Sequence, residues 1–177
     1  MWYWFAIFIC LGIIVYLSIA YIVPRFSETI NRYDSIEEAV AHDGDWEILD
    51  VYQNEKVAFV VAAGSKSTPG DLYVIKDKKG WYMPSTARNH PIKFGYTEDQ
   101  VMYKCTKLND RYVIYLYDPW ANESNIPTDN YNSDFYSYTG FLPGILNQSP
   151  VCIYAKILDV LPEDYTLTIN GRNIYFN

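Results

Sequence analysis

The chain has 177 residues, half of them hydrophobic, which suits one small folded domain with a short appendage. Its formal net charge of -7 excludes the nucleic-acid binders, which need Lys and Arg to displace counterions from phosphates. The same charge excludes a domain drawn to anionic lipid by a basic patch.

Residues 1–23 contain no Asp, Glu, Lys, Arg or His. At about 1.5 Å rise per residue, such a helix covers the roughly 30 Å hydrocarbon core, where it satisfies its own backbone hydrogen bonds. Trp2, Tyr3 and Trp4 at one end and Tyr21 at the other suit the lipid–water boundary. The segment therefore reads as a single-pass transmembrane signal anchor, with the membrane as its partner. A cleaved signal peptide would carry a basic leader and a small-residue cleavage site, which Ser18 and Ala20 match only marginally. Arg25 and Arg32 follow the segment, and a literal positive-inside count puts the domain in the cytoplasm, a bias of only two charges.

Residues 24–45 read as a neck with a short helix. Ser35 and Glu38 have capping-box spacing, and Ile36, Ala39 and Val40 share one helical face. Residues 46–177 read as a β-rich domain. Trp46–Tyr52, Lys56–Ala63, Asp71–Asp77 and Trp81–Met83 form a predicted four-strand meander, with a loop over Gly64–Gly70. Ser85–Gly95 reads as irregular because of Pro91 and Gly95. Val101–Leu108 and Arg111–Tyr117 alternate around Asn109-Asp110 and predict a hairpin. Asp118–Asp134 is a long polar loop, functional or mobile. Phe135–Gly144 is ambiguous, Val151–Val160 is a strand, and Asn170-Gly171 turns a terminal hairpin. The expected fold is mainly β: a single antiparallel domain, as barrel, sandwich or sheet with one short helix, behind the membrane helix.

The chemistry-bearing residues are sparse. His42 beside Asp43 and Asp45 is weaker than a zinc set and reads as a solvated helix end, so no metal site is assigned. The 118–134 loop lacks EF-hand spacing. No nucleophile elbow or phosphate loop is present, and nothing requires a cofactor. Cys105 and Cys152, in different strands, are candidates for a disulfide if the domain lies outside the cytoplasm. Asn122-Glu123-Ser124 and Asn147-Gln148-Ser149 match glycosylation sequons. Trp120, Tyr131, Tyr136 and Tyr138, with Asp118 and Asp134, gather near predicted turns and are the candidate ligand-binding residues. Exposed rings there could stack on sugars or peptides, although core filling accounts for them too.

The order of membrane helix, SIEEAV helix, strand pair and DLYVIKDKKGW turn resembles small membrane-anchored or lipoprotein-like extracytoplasmic proteins of Gram-positive bacteria. The resemblance runs over Ser35–Trp81, without a basic N-terminus or a lipobox. It implies a domain outside the cell membrane, against the charge count, and carries over no catalytic residue. The expectation is a membrane-tethered, non-enzymatic binding or accessory domain for a protein or cell-envelope ligand. The alternatives are a carboxylate-dependent cell-wall or glycan hydrolase using Asp118, Glu123 or Asp134, and a subunit of a membrane complex.

Overall fold

The computed structural model describes residues 2–18, 31–64, 69–84, 91–122, 125–142 and 150–176. Two helices, α1 (Trp2–Leu17) and α2 (Ile36–Asp43), precede twelve strands among these residues. The strands are β1 (Trp46–Gln53), β2 (Val57–Gly64), β3 (Pro69–Asp77), β4 (Gly80–Tyr82), β5 (Pro91–Tyr96) and β6 (Met102–Leu108). They continue as β7 (Arg111–Asp118), β8 (Thr128–Asp129), β9 (Tyr136–Gly140), β10 (Val151–Leu158), β11 (Thr166–Ile169) and β12 (Arg172–Tyr175).

The strands form three antiparallel sheets and no closed barrel: a meander β1-β2-β3-β4, a central sheet β5-β6-β7-β10-β9, and a small sheet β12-β11-β8. Helix α2, the meander, the central sheet and the small sheet stack in that order, with an apolar core in each gap. Strand β2 explains the stacking. Val57, Phe59 and Val61 pack on the central sheet, while Ala58, Val60 and Ala62 pack on α2. A strand buried on both faces needs an uninterrupted apolar run, and VAFVVAA is one. In the central sheet, β7 sends Val113 and Tyr115 one way and Ile114 and Leu116 the other.

Local signals position these layers. Ser35 Oγ accepts the Glu38 amide at 3.1 Å, the expected N-cap, while the Glu38 carboxylate accepts from the Asp34 amide at 3.2 Å. Ile36, Ala39 and Val40 are the buried face of α2. Asn170 and Gly171 both have positive φ, 48° and 72°, as a two-residue type I′ turn requires. The end of the neck is sewn to β4: the Tyr33 amide donates to Trp81 O at 2.9 Å, and the Trp81 amide donates to Tyr33 O at 2.8 Å. Gly80 (φ 133°) permits that approach, since a Cβ there would lie 2.6 Å from Tyr33 O. The Arg32 guanidinium sits 3.9 Å over the Tyr82 ring, with its Nε 2.8 Å from Asp77.

Several boundaries differ from expectation. Pro91–Tyr96 is an edge strand rather than irregular chain. Pro at a strand start and Gly at an edge are both tolerated, and the Tyr103 ring lies over the bare Gly95 backbone. Gly64 ends β2 and Pro69-Gly70 open β3, so strand takes both ends of the expected Gly64–Gly70 loop, and residues 65–68 lie outside the described set. The long polar loop contains β8, and the ambiguous segment contains β9. Residues 19–30, Glu123, Ser124 and the Asn147 sequon also lie outside the described residues.

Helix α1 has 16 residues, about 24 Å of length, and among the described residues no helix is long and apolar enough to cross a membrane. The expected span to Val23 continues into residues outside the described set. The apolar side chains of α1 between Ile7 and Leu17 that are described are 47 to 71 % exposed.

Candidate functional site

The small sheet covers β6, β7 and β10 but stops short of β9. Residues Ala121 and Ile126–Asp134 of the loop leading to β9 arch over the uncovered face. Between them lies an open cavity of about 680 Å³, within the range of small-molecule sites. Ser137 and Thr139 of β9 and Cys152 and Tyr154 of β10 form its floor. Ile126, Pro127, Asn132, Ser133, Asp134 and Phe135 contribute to its walls.

Beneath the rim is a buried ion pair. Lys156 stands on the small-sheet side of β10, and its Nζ donates to Asp129 Oδ2, to Ser133 Oγ and, at 3.2 Å, to the Ser133 carbonyl. The two side chains are 6 % and 0 % exposed. Asp129 also accepts from the amides of Tyr131 (3.0 Å) and Ser133 (3.1 Å), from Ser133 Oγ (2.9 Å) and from the Tyr165 hydroxyl (3.0 Å). Burial alone would raise the Asp129 carboxyl. The hydrogen bonds from Lys156, Ser133 and Tyr165 outweigh it and hold the carboxyl at about 2. Burial, then the facing Asp129 carboxylate, pushes the Tyr165 phenol well up.

This geometry braces the loop and does not activate a nucleophile. A serine–lysine pair attacks when the amine accepts the serine proton. Here Lys156 donates, to a carboxylate too acidic to act as a base near neutral pH. The brace also fixes Phe135, whose ring centroid lies 4.8 Å from the ammonium.

The sequence-selected residues separate. Asp134 lines the cavity and is exposed. Asp118 is buried: it accepts the Trp120 amide (2.9 Å), the Asn122 amide (2.9 Å) and Asn125 Nδ2 (3.0 Å), so it holds the turn after β7. Trp120 is exposed beyond that turn. Tyr131 is exposed, donates to Asp164 at 2.5 Å and stacks on Tyr165 with centroids 6.2 Å apart. Tyr136 and Tyr138 point from β9 to the opposite face, against the meander, where Tyr136 stacks on Tyr52 at 5.0 Å. Burial, then the nearby Asp50, pushes the Tyr136 phenol up. The ring cluster expected to form one ligand surface is thus divided between two faces of a sheet.

The candidate disulfide partners lie apart. Cys105 and Cys152 are free thiols. Strand β7 stands between them, with Cys105 opposite Ile114 and Cys152 opposite Asp118. Two strand spacings of about 4.8 Å already exceed the reach of a disulfide. Cys105 is buried, which pushes its thiol up to about 12. Cys152 Sγ lies 3.1 Å from Thr139 Oγ1 at the cavity floor. His42 is exposed beside Tyr33, and among the described residues no three His, Cys, Asp or Glu side chains gather as a metal set. Sequence reading missed Asp129, Ser133 and Lys156. The available signal was Lys156 itself, a lone cation at an inward position of the run VCIYAKIL, which demands a buried carboxylate.

Comparison with family models, curated proteins and solved structures finds no match.

Proposed function

We propose that the chain is a membrane-tethered, non-enzymatic binding domain that holds its ligand in the cleft between β9 and the loop before it, on the outer side of the cell membrane. The braced cleft carries this reading: a cavity of about 680 Å³ with a fixed rim and a polar floor. Of the carboxylates behind the hydrolase alternative, Asp118 is committed to its own turn and Asp134 stands at the cleft, where Asp129, the other carboxylate among the described lining residues, is engaged by Lys156. The tether is supported by α1, whose described apolar side chains find no cover on the domain. The outer location follows the resemblance of Ser35–Trp81 to extracytoplasmic proteins, against a cytoplasmic count of only two charges, Arg25 and Arg32.

Two measurements test the proposal. The first uses Cys10→Ser protein in detergent and follows alkylation of Cys152 while small neutral, cationic and anionic fragments are screened. Protection by some fragment class, lost in Ser137→Trp, is expected; no protection by any class removes the cleft as the site. The second introduces Val160→Cys, at an exposed position, into a Cys10→Ser, Cys152→Ser background. Labelling of intact cells by a membrane-impermeant thiol reagent is expected, and labelling only after lysis overturns the outer location.

A further inference from the structure

The lining of the cleft selects among ligands by charge and by hydrogen-bonding capacity. Ser137 and Thr139 on the floor and Asn132 on the wall carry groups that both donate and accept. Asp134 adds one acceptor-only carboxylate, and Phe135 and Ile126 add apolar surface. Among the described lining residues there is no Lys or Arg. Lys156, the cation beneath the rim, is consumed by Asp129 and Ser133.

An anionic ligand would therefore lose water beside the Asp134 carboxylate and gain no free cation, a cost without compensation. A cationic ligand would find little more. The Asp129 oxygens are filled by Lys156, Ser133, Tyr131 and Tyr165, which leaves Asp134 alone. The Phe135 ring already faces the Lys156 ammonium, whose charge repels a second cation there. A polyhydroxylated ring has the complementary chemistry. Its hydroxyls donate and accept in turn, a carboxylate can take two of its O–H groups, and its C–H faces suit phenyl and aliphatic walls.

We infer that the cleft takes an uncharged oligosaccharide, an inference resting on the cleft being the binding site. Asp134, Ser137 and Thr139 would bind its hydroxyls, and Phe135 would contact a ring face. The resident Lys156–Asp129 pair makes the site selective by using up the cation that an anionic sugar would need.

The experiment uses the full chain with Cys10→Ser in micelles of an uncharged maltose-free detergent and measures the alkylation rate of Cys152 with iodoacetamide. The probes are neutral gluco-, galacto-, manno- and N-acetylglucosamine oligomers, with deacetylated glucosamine oligomers as cations and galacturonate oligomers as anions. At millimolar concentration at least one neutral series is expected to slow alkylation about fivefold or more, with little effect from the charged series. Ser137→Trp is expected to abolish the protection, and Cys105 is expected to stay unreactive in both proteins, which shows that the fold persists. Failure of all four neutral series overturns the saccharide inference, as does equal or better protection by a charged series. If charged fragments protect where sugars fail, the cleft survives as a binding site and only the ligand class falls. If neither sugars nor fragments protect, both readings fall.

Discussion

The two faces of the central sheet are built on different principles. The face against the meander is almost wholly apolar, packed with Val57, Phe59, Tyr73, Val113, Tyr115 and Ile153. The face against the small sheet mixes an apolar patch around Tyr165 and Leu167 with a buried ion pair, two thiols and an open cleft. The four-stranded meander closes its side of the sheet over an apolar core. The three-stranded small sheet leaves β9 bare, and the polar groups gather at that margin. Stability and chemistry are therefore separable in this molecule, and substitutions on the two faces should differ in kind.

The largest effect is expected on the apolar face. Phe59 is fully buried between Tyr73 and Tyr115, with ring centroids 5.9 and 5.4 Å away. Phe59→Ala should lower unfolding free energy by about 3–5 kcal/mol in urea denaturation, without altering the selectivity of the cleft in whatever fraction remains folded.

On the other face, Lys156→Met should cost about 3 kcal/mol, because it strands a buried carboxylate. Lys156→Met with Asp129→Asn should recover part of that loss. The pair also sets an acid limit. The Asp129 carboxyl is held at about 2, below its usual 3.8, so its contribution to stability is present above the unfolded value and lost as pH falls from about 4 towards 2. Denaturation followed across that window should show a slope in the wild type that the double variant lacks. An unchanged slope would mean that other carboxylates govern acid unfolding.

Many of the individual elements were legible in the sequence, and their layering was not. KVAFVVAA reads as a strand, SIEEAV as a capped helix and Asn-Gly as a hairpin turn, since each signal is local. The sheet order was not legible, because pairing β10 between β7 and β9 is a long-range choice that no short window encodes. The site was only partly legible. Asp134 was visible as a polar loop residue, but Asp118 looked the same while serving its own turn. The parity that sends Tyr136 and Tyr138 one way and Ser137 and Thr139 the other depends on which face the small sheet leaves bare. Asp129 and Lys156 are 27 residues apart and meet only across two sheets.

A smaller effect tests the seam between neck and domain. Gly80→Ala meets both a positive φ and the Tyr33 carbonyl, so it should cost about 1–2 kcal/mol. It should also raise amide exchange at Tyr33 and Trp81 while leaving exchange in β7 and β10 unchanged. Uniform acceleration would show that the neck is no separate unit.

The last comparison lies within the polar face and changes reactivity without stability. Cys105 and Cys152 sit two strands apart, on the same side of the central sheet. The small sheet covers Cys105 completely, while Cys152 is 8 % exposed and borders the cleft. Burial holds the Cys105 thiol protonated, so its alkylation requires unfolding to expose it. With a global stability of at least about 5 kcal/mol, that requirement slows its reaction by roughly a thousandfold or more. Cys152 needs only a reagent small enough to enter the cleft. At pH 8 in native protein, mass spectrometry should therefore find one slow alkylation at Cys152 and essentially none at Cys105. Mild urea should accelerate Cys105 in step with unfolding and Cys152 far less. Equal rates at the two thiols would mean that the small sheet opens as readily as the margin it leaves bare, and the separation of a sealed core from a binding margin would then fail.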